Sequence, residues 1–514
     1  MSVRLRPGHH RRHGWRAGRL GAAIGVAVAA VVTAATLAAQ NQAPSTATSE
    51  VLPFQMAITR EMAAARVQAI RDRLPYVPGE TLVKFRDGFD AGEQRRALSA
   101  LRGGATTTQW IGDTLLVHND REPNAEVMAD VLARQPEVEW AEPNYLSHLS
   151  VVPNDPSFSR QWNLDLINMR AAWDINHGGS STVTVAVVDT GINTVSRSYA
   201  FSLWNGTAFT TSTVPFALDP DIAGSRVASG RDFAFWDGPV LDMVGHGTHV
   251  AGTILQETNN NLALAGIAYN ARLLPVKVCF GYWEIQIVLA SLNRPGFADP
   301  DDGGCATSDV IAGIRYAADN GAQVINLSLG GPGQSSAELD AIRYAVGKGA
   351  FVAMAAGNEF DSGNPPEYPA AFAPQIDGAM SVGAVGRSRR RAYYSNTGSY
   401  IEIAAPGGDF RADGLSGLIY QVGLMASDSE PALVRVTPRF DRYQELPLQG
   451  TSMAAPHVAG VAALLYAQGI TNPAAIEAAI RKFAVDLGSA GKDDEYGYGL
   501  VDARAALRGL GVAK

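Results

Sequence analysis

The sequence predicts an α/β protein whose larger part is a doubly wound, mainly parallel sheet flanked by helices. Several β-branched runs between about residues 153 and 508 are apolar throughout, for example Val324–Leu329 and Phe351–Ala355. Such runs are typical of strands buried on both faces. Segments with helical periodicity, such as Ala306–Asn320 and Ser335–Gly347, lie between them. This alternation is typical of parallel sheets, whose functional groups lie at the carboxyl ends of strands.

The predicted strands of this larger domain, residues 149–514, are all short and rich in apolar residues. They are Thr182–Val188, Arg272–Val278, Val324–Leu329, Phe351–Ala355, Ala379–Val385 and Tyr400–Ala404. The chain has 514 residues, and 46% of them are hydrophobic. That composition excludes a disordered chain, a collagen-like repeat and a small disulfide scaffold.

A smaller module, residues 76–148, precedes the large domain. Its predicted strands and helices are Glu80–Phe85, Asp90–Leu101, Thr114–His118, Ala125–Gln135 and Val138–Glu142. Strands and helices in so short a segment predict a small α+β, ferredoxin-like sandwich. Residues 40–75 are predicted to be a Ser/Thr/Pro-rich linker followed by an amphipathic helix.

The N-terminus differs from the rest of the chain in its charge. Six arginines between Arg4 and Arg19 precede an uncharged run, Leu20–Ala39, whereas the whole chain carries a net charge of −8. This pattern predicts a signal peptide over residues 1–39 and therefore export to the periplasm or medium. An uncleaved membrane anchor through residues 20–39 is the alternative. The acidic remainder argues against nucleic acid as a partner.

The two cysteines, Cys279 and Cys305, lie close together in the sequence. In an exported protein, this arrangement favours a disulfide, and two free thiols are the alternative.

Three segments carry groups suited to catalysis. Asp189 follows a buried strand, His246 begins the segment HGTHVAG, and Ser452 lies in GTSMAAPH before an apolar helix. Taken singly, Asp189 and Ser452 could be capping residues, and His246 with His249 could bind a metal. Together, acid, imidazole and hydroxyl form the set that nucleophilic acyl transfer requires.

The chain resembles the subtilisin-like serine proteases. The motifs VAVVDTGI, HGTHVAGTI, VINLSLGGP, AAGNE and GTSMAAPHVAG occur in family order, and YGYGLVDARAAL near the C-terminus is also family-like. The resemblance implies that Asp189 is the orienting acid, His246 the general base and Ser452 the nucleophile. It further implies that Asn358 is the side-chain donor of the oxyanion hole. His249 and His457 then have packing or hydrogen-bonding roles instead of binding zinc.

The resemblance also implies a substrate cleft. The substrate-binding residues it indicates are Ser328, Leu329, Gly330, Ala355, Gly357, Glu359 and Glu367. Glu367 stands where bacterial relatives usually have a small or neutral residue. One hypothesis is that both glutamates favour lysine or arginine before the scissile bond. The alternative is that both acids point to solvent.

The same resemblance implies a possible structural calcium ion, although the chemistry itself requires no cofactor. The candidate ligands are Asp221, Asn260, Leu262 and Leu264. Oxygen donors of this kind suit calcium. The loop that carries three of them, Glu257–Leu264, is one residue longer than the usual pattern.

Residues 76–148 resemble the prodomain of the family, which assists folding and blocks the cleft. We therefore expect an inhibited precursor that cleaves itself within Tyr145–Pro153, and a mature enzyme that is a monomer acting on proteins or peptides. Two insertions, Asn193–Leu218 and Phe280–Gly304, carry no predicted function. The alternatives are a catalytically inactive binding protein, against which the intact motifs argue, and a specific processing enzyme.

Overall fold

The computed structural model describes residues 58–71, 74, 76–146, 152–236, 238–429 and 437–508. These residues form two compact units, and the chain passes from the first unit to the second after Leu146. The predicted signal peptide, residues 1–39, lies outside the described residues. No helix within the described ranges is long and apolar enough to cross a membrane.

The first unit is a four-stranded antiparallel sheet with three helices. Its elements are α1 (Arg60–Arg71), β1 (Tyr76–Phe85), α2 (Ala91–Leu98), β2 (Thr107–Ile111), β3 (Thr114–His118), α3 (Ala125–Ala133) and β4 (Val138–Tyr145). The strand order is β2-β3-β1-β4. Val83, Met128 and Leu132 are fully buried in its core. Sequence reasoning missed β2, because its side chains are mostly exposed and show no alternation of buried and exposed positions.

The second unit contains the remaining helices and strands. They are α4 (Trp162–Leu166), α5 (Met169–Trp173), β5 (Thr184–Asp189), β6 (Arg197–Trp204), β7 (Phe209–Phe216), β8 (Arg231–Asp232), α6 (His246–Leu255), β9 (Arg272–Lys277), β10 (Cys279–Phe280), α7 (Tyr282–Ser291), β11 (Gly304–Cys305), α8 (Thr307–Asp319), β12 (Val324–Leu327), α9 (Ser336–Gly347), β13 (Phe351–Ala355), β14 (Ala379–Val385), β15 (Ile403–Pro406), α10 (Phe410–Asp413), β16 (Ile419–Leu424), α11 (Ala426–Ser429), β17 (Tyr443–Leu448), α12 (Thr451–Ala467), α13 (Pro473–Lys482) and α14 (Ala503–Arg508).

The main sheet of the second unit has seven strands in the order β15-β14-β13-β12-β5-β9-β8. All of its neighbouring strands are parallel. Strands β12, β13 and β14 are buried at every position, as their apolar sequences predict. The predicted doubly wound parallel sheet is therefore confirmed, and the carboxyl ends of its strands meet at one edge.

Four predicted strands of the large domain have different bounds in the structure. The run predicted as Thr182–Val188 is observed as Thr184–Asp189, and the run predicted as Arg272–Val278 ends at Lys277. The run predicted as Val324–Leu329 ends at Leu327, so Ser328 and Leu329 lie beyond the strand. The run predicted as Tyr400–Ala404 is a strand only from Ile403, where its register with β14 begins, although the Glu402 N–H also donates to the Ser381 carbonyl of β14. In these last two cases the apolar run extends past the residues that form the strand.

Helix α12 is the central helix of the second unit. Its sequence has almost no polar face, and nearly every residue from Thr451 to Tyr466 is buried. It contacts α6 and the sheet strands β12 to β15. A helix that is apolar all round must be enclosed by its neighbours, and its first turn is therefore held firmly beside the sheet.

The two insertions form regular elements that pack together. The first contains the hairpin β6–β7, and the second contains α7 between the short strands β10 and β11. Leu203 and Phe216 from the hairpin share a buried apolar cluster with Trp283 of α7. A disulfide joins Cys279 to Cys305 at the two ends of the second insertion.

We predict that replacing both cysteines with serine lowers the free energy of unfolding. The disulfide joins positions 26 residues apart, and a crosslink of that span stabilises a protein by about 3 kcal/mol by restricting the unfolded chain. Urea unfolding is measured in a Ser452→Ala background, which limits self-digestion. Dithiothreitol should destabilise the parent but not the double-serine variant. An unchanged parent would show that the bond contributes nothing to stability.

Candidate active site

Asp189 is the last residue of β5, at the carboxyl edge of the main sheet, and it is 2% exposed. The Thr190 backbone N–H donates to its Oδ1 over 2.7 Å. Thr190 is itself held, because its hydroxyl donates to Asp242 Oδ1 over 3.0 Å and accepts from the Gly247 N–H over 2.9 Å. The carboxylate is therefore buried and oriented by the strand end.

His246 is the first residue of α6, and its Nδ1 lies 2.8 Å from Asp189 Oδ1. Gly247 permits this approach, because a Cβ there would lie 2.3 Å from the Gly191 carbonyl oxygen. Desolvation lowers the pKa of His246, but attraction to Asp189, the hydrogen bond with it and attraction to Asp242 outweigh that effect. The net result is a raised pKa.

Ser452 lies in the first turn of α12. Its Oγ donates to the Ser328 carbonyl over 3.2 Å, and the Ser328 hydroxyl donates to the Ser452 carbonyl over 2.7 Å. Within the described residues, no hydrogen bond joins Ser452 to His246. Rotation about the serine Cα–Cβ bond redirects this hydroxyl, and such catalytic bonds are often formed only with substrate.

Asn358 follows β13 and is held by Thr451, which is fully buried. Its Oδ1 accepts from the Thr451 backbone N–H over 2.9 Å and from the Thr451 hydroxyl over 3.0 Å. Asn358 Nδ2 donates no hydrogen bond to any group in the described part of the chain, and the residue is exposed. The amide N–H groups are thus available beside the start of α12. Sequence reasoning missed the contribution of Thr451.

Glu367 occupies the space between two glycines of the predicted cleft. A Cβ on Gly330 would lie 2.9 Å from Glu367 Oε2, and a Cβ on Gly357 would lie 2.3 Å from Glu367 Cγ. Ala355, also predicted to line the cleft, is buried at the end of β13. Gly331 and Tyr368 pair in an antiparallel bridge beside the glutamate. Glu367 therefore does not point to solvent.

The Glu367 carboxyl group has an acidic neighbour. Glu367 is 6% exposed, and no described basic side chain forms an ion pair with it or with Glu359. Desolvation, repulsion from Glu359 and a side-chain hydrogen bond with Glu359 raise the pKa of Glu367 to about 7. The pocket thus holds two carboxyl groups that no described basic side chain neutralises, and Glu367 is only partly ionised near pH 7.

A cavity of about 420 Å³ lies beside the Asp189–His246 pair. Besides those two residues, it is lined by Thr190, Met243, Val244, Cys279, Phe280, Gly281, Tyr282, Trp283, Pro300, Asp301, Asp302, Gly303, Gly304, Cys305, Ser328, Leu329, Gly330 and Ser429. The lining includes both ends of the disulfide-bounded insertion, which had no predicted function. Ser328, Leu329 and Gly330 form part of the same lining, as the predicted cleft requires.

His249 and His457 lie in buried, apolar surroundings. Desolvation lowers the pKa of both to about 4, so both are neutral at pH 7. His249 Nε2 lies 3.0 Å from the Leu446 carbonyl, and His457 Nδ1 lies 2.8 Å from the Met453 carbonyl. Among the described residues, no three His, Cys, Asp or Glu side chains are grouped so that they could hold a metal ion. These contacts favour the predicted structural roles.

The predicted cation loop folds around two buried carboxylates. Asn260 Nδ2 and the Leu264 N–H donate to Asp221 over 2.7 and 3.4 Å. The N–H groups of Asn259 and Asn260 donate to Asp155, which sequence reasoning missed. Leu262 belongs to the same loop but is 40% exposed.

The sequence profile of the subtilase family matches residues 180–499, and the profile of the fervidolysin N-terminal prodomain matches residues 63–144. The matched fold and sequence define a serine protease, an enzyme that hydrolyses peptide bonds. The chain belongs to the subtilase family and carries a fervidolysin-type prodomain ahead of its protease domain.

Proteases of known sequence or structure are similar to this chain over most of its length. The thermophilic serine proteinase of Bacillus sp. (strain AK1) is 32% identical over 444 residues, which is 84% of this chain and 88% of the relative. An extracellular protease of Xanthomonas campestris pv. campestris is 33% identical over 420 residues, or 76% of this chain and 63% of the relative. A solved protease structure from Pseudoalteromonas arctica has a TM-score of 0.51 and 31% identity, and the match covers 70% of this chain and 99% of that one.

Proposed function

We propose that this chain is an exported serine endopeptidase, made as a self-processed zymogen, with Asp189, His246 and Ser452 as its catalytic triad. The observation that carries this proposal is the 2.8 Å contact between Asp189 Oδ1 and His246 Nδ1 at the carboxyl edge of the sheet. That contact leaves His246 Nε2 as the basic nitrogen. The family membership supports peptide bonds as the substrate.

In the proposed mechanism, Ser452 Oγ attacks the scissile carbonyl carbon while His246 Nε2 takes the hydroxyl proton. Asp189 stabilises the imidazolium that forms. The oxyanion accepts hydrogen bonds from Asn358 Nδ2 and from the Ser452 backbone N–H at the start of α12. His246 then donates its proton to the leaving amine. In the second half of the reaction, water attacks the acyl carbon while His246 takes its proton, and Ser452 Oγ leaves and receives that proton from His246.

Export and self-processing complete the proposal. The basic, then uncharged N-terminus supports a signal peptide over residues 1–39, and the extracellular Xanthomonas relative supports export. The matched prodomain supports residues 76–148 as an intramolecular inhibitor and folding aid of the protease domain, residues 149–514. We propose that this domain is a monomer once mature. A slowly folding parallel sheet gives such an aid a physical purpose.

The proposal is tested by labelling with a fluorophosphonate, which reacts with an activated serine. Wild type should be labelled and cleaved within residues 145–153, whereas Ser452→Ala should be neither labelled nor processed. Asn358→Ala should remain labelled at a lower rate and lose roughly 10²–10³ in turnover, as expected for one oxyanion donor.

The matched control is Ser416→Ala, which removes the hydroxyl of an exposed serine in a short 3₁₀ helix. It should behave as wild type. Labelling that survives in Ser452→Ala would reject Ser452 as the nucleophile. Processing of Ser452→Ala at the wild-type rate would reject self-cleavage. A wild type that is never labelled would favour the inactive binding protein.

We further propose that the enzyme prefers lysine or arginine before the scissile bond. Glu367 lies between Gly330 and Gly357, and Glu359 adds a second carboxyl group, with no described basic side chain paired to either. A substrate cation would supply the missing charge. It would also lower the pKa of Glu367 towards its ordinary value, because an opposite charge favours the ionised form.

Glu367→Gln should reduce kcat/KM for peptides with a basic residue at this position by roughly tenfold, the order of one charge-assisted hydrogen bond. Hydrolysis of matched phenylalanine or leucine peptides should change little. In wild type, the preference for basic over apolar peptides should grow as pH rises through about 7, since Glu367 ionises there.

Glu495→Gln removes an exposed acid elsewhere and serves as the control. It should leave the ratio of basic to apolar hydrolysis unchanged. A wild-type cleavage profile confined to large apolar residues would contradict the proposed preference.

A structural calcium ion is a third proposal. Asp155, Asp219 and Asp221 are 3%, 1% and 0% exposed, and none of them forms an ion pair with a described basic side chain. Desolvation, with repulsion from Asp219 and Asp155, raises the pKa of Asp221 to about 8. These residues fit a divalent cation, which would neutralise the buried carboxylates. Asp155, Asp221, Asn260 and the carbonyls of Leu262 and Leu264 would hold it.

A strong chelator should lower the Tm of the Ser452→Ala protein by several degrees, because an ion that binds only the folded state stabilises it. Asp221→Asn should lower the Tm and remove the response to chelator. Chelator saturated with calcium beforehand is the control and should have no effect. A Tm that chelation does not change would reject a structural ion.

A further inference from the structure

A buried ion pair links the second insertion to β9, the strand that pairs with the Asp189 strand β5. Lys277 is the last residue of β9, and Glu284 lies in the first turn of α7. Lys277 Nζ lies 2.9 Å from Glu284 Oε1, and both side chains are 0% exposed. Sequence reasoning overlooked both residues. The signal that could have indicated Lys277 is a lysine at the end of the apolar run of a strand, where a charged residue is unusual.

The ammonium group of Lys277 also contacts Thr190, the residue that follows Asp189. Lys277 Nζ donates to the Thr190 carbonyl over 2.5 Å, and Lys277 is paired with Asp189 in the parallel register of β5 and β9. Thr190 in turn donates its N–H to Asp189 Oδ1. The ammonium therefore holds the residue that orients the carboxylate facing His246.

Glu284 belongs to the insertion, not to the main sheet. Its second oxygen, Oε2, accepts from the Gly281 N–H over 3.1 Å and so caps the start of α7. The disulfide between Cys279 and Cys305 closes the insertion on either side of this helix. Trp283, the preceding residue, donates its indole N–H to the Ser429 carbonyl over 2.6 Å. The glutamate is thus held in place from both sides.

Burying the Lys277–Glu284 pair has a cost in folding free energy, because both charges lose their hydration. Burial alone would lower the pKa of Lys277, but Glu284, Asp242 and Asp232 outweigh it and raise that pKa. Removing one partner of a buried pair leaves an uncompensated charge, whereas removing both need not be costly. A pair used only to hold a loop would be replaceable by apolar side chains.

We propose that Glu284, supplied by the insertion, is a positioning residue for the Asp189–His246 pair and acts through Lys277 and Thr190. This inference rests on the proposed catalytic triad and adds a role for the insertion. Glu284 balances the ammonium charge beside Asp189, while Lys277 fixes the Thr190 carbonyl. Neither side chain touches substrate.

The charges around the pair determine the sign of the expected effect. The titratable groups are Asp189 on β5, Asp242 before α6, His249 on α6, Lys277 on β9, Glu284 on α7 and Asp232 on β8. Neutralising Glu284 leaves one extra positive charge near His246. That charge disfavours the imidazolium, so activity should persist to lower pH.

The test compares pH profiles of mature enzyme, with active-site concentration measured by fluorophosphonate titration. In Glu284→Gln, the acidic limb of kcat/KM should move down by about one pH unit, the order expected of one uncompensated charge at an effective dielectric of about 20. In Lys277→Met/Glu284→Gln, the limb should return towards wild type. In this double variant, the plateau of kcat/KM should fall about tenfold, because the Thr190 carbonyl loses the charged donor Lys277.

Asp319→Asn removes an exposed ion pair with Lys348 and is the control; it should leave both limb and plateau unchanged. An unmoved limb in Glu284→Gln, with a lower Tm alone, would show a purely structural pair and overturn the proposal. If Glu284→Gln does not fold, the double variant decides, since a wild-type plateau there has the same consequence. A wild type that is never labelled would instead reject the proposed function itself.

Discussion

Charge that is buried at the carboxyl edge of the main sheet must be balanced, and this constraint governs the site. Asp189, Asp242 and Lys277 are at most 2% exposed. A buried charge without a partner is costly. The structure balances them by local hydrogen bonds from Thr190 and the start of α6, and by the ion pair of Lys277 with Glu284. The orientation of His246 follows from that balance.

The same constraint distinguishes the carboxylate that has a partner within the protein from those for which we propose a cation. Asp189 has the imidazole of His246 as its partner. Glu367 and Asp221 are also buried, but each is next to other acids, and its pKa is raised. Leaving such groups uncompensated destabilises the folded chain. In the proposed function, a basic substrate residue at Glu367 or a calcium ion at Asp221 would recover part of that free energy.

Much of the fold followed from the sequence, because buried parallel strands leave a strong local pattern. Strands β13 and β14 have the predicted bounds, and helix α8 differs from the prediction by one residue at each end. Errors arose where pairing with a neighbour, rather than side-chain type, sets a strand's limits, as at β15. The exposed strand β2 was missed because one solvated strand of a small sheet lacks an apolar pattern.

By itself, the sequence determined the family, the parallel sheet and the candidate triad, because those depend on local patterns and ordered motifs. Only the tertiary structure decided which groups share a surface. It placed Glu367 between two glycines, Thr451 against Asn358, and Glu284 of an insertion against Lys277 of the sheet. Those contacts join residues from separate elements. Their physical basis is burial and the pairing of charge, which depend on neighbours that are remote in the chain or belong to different elements.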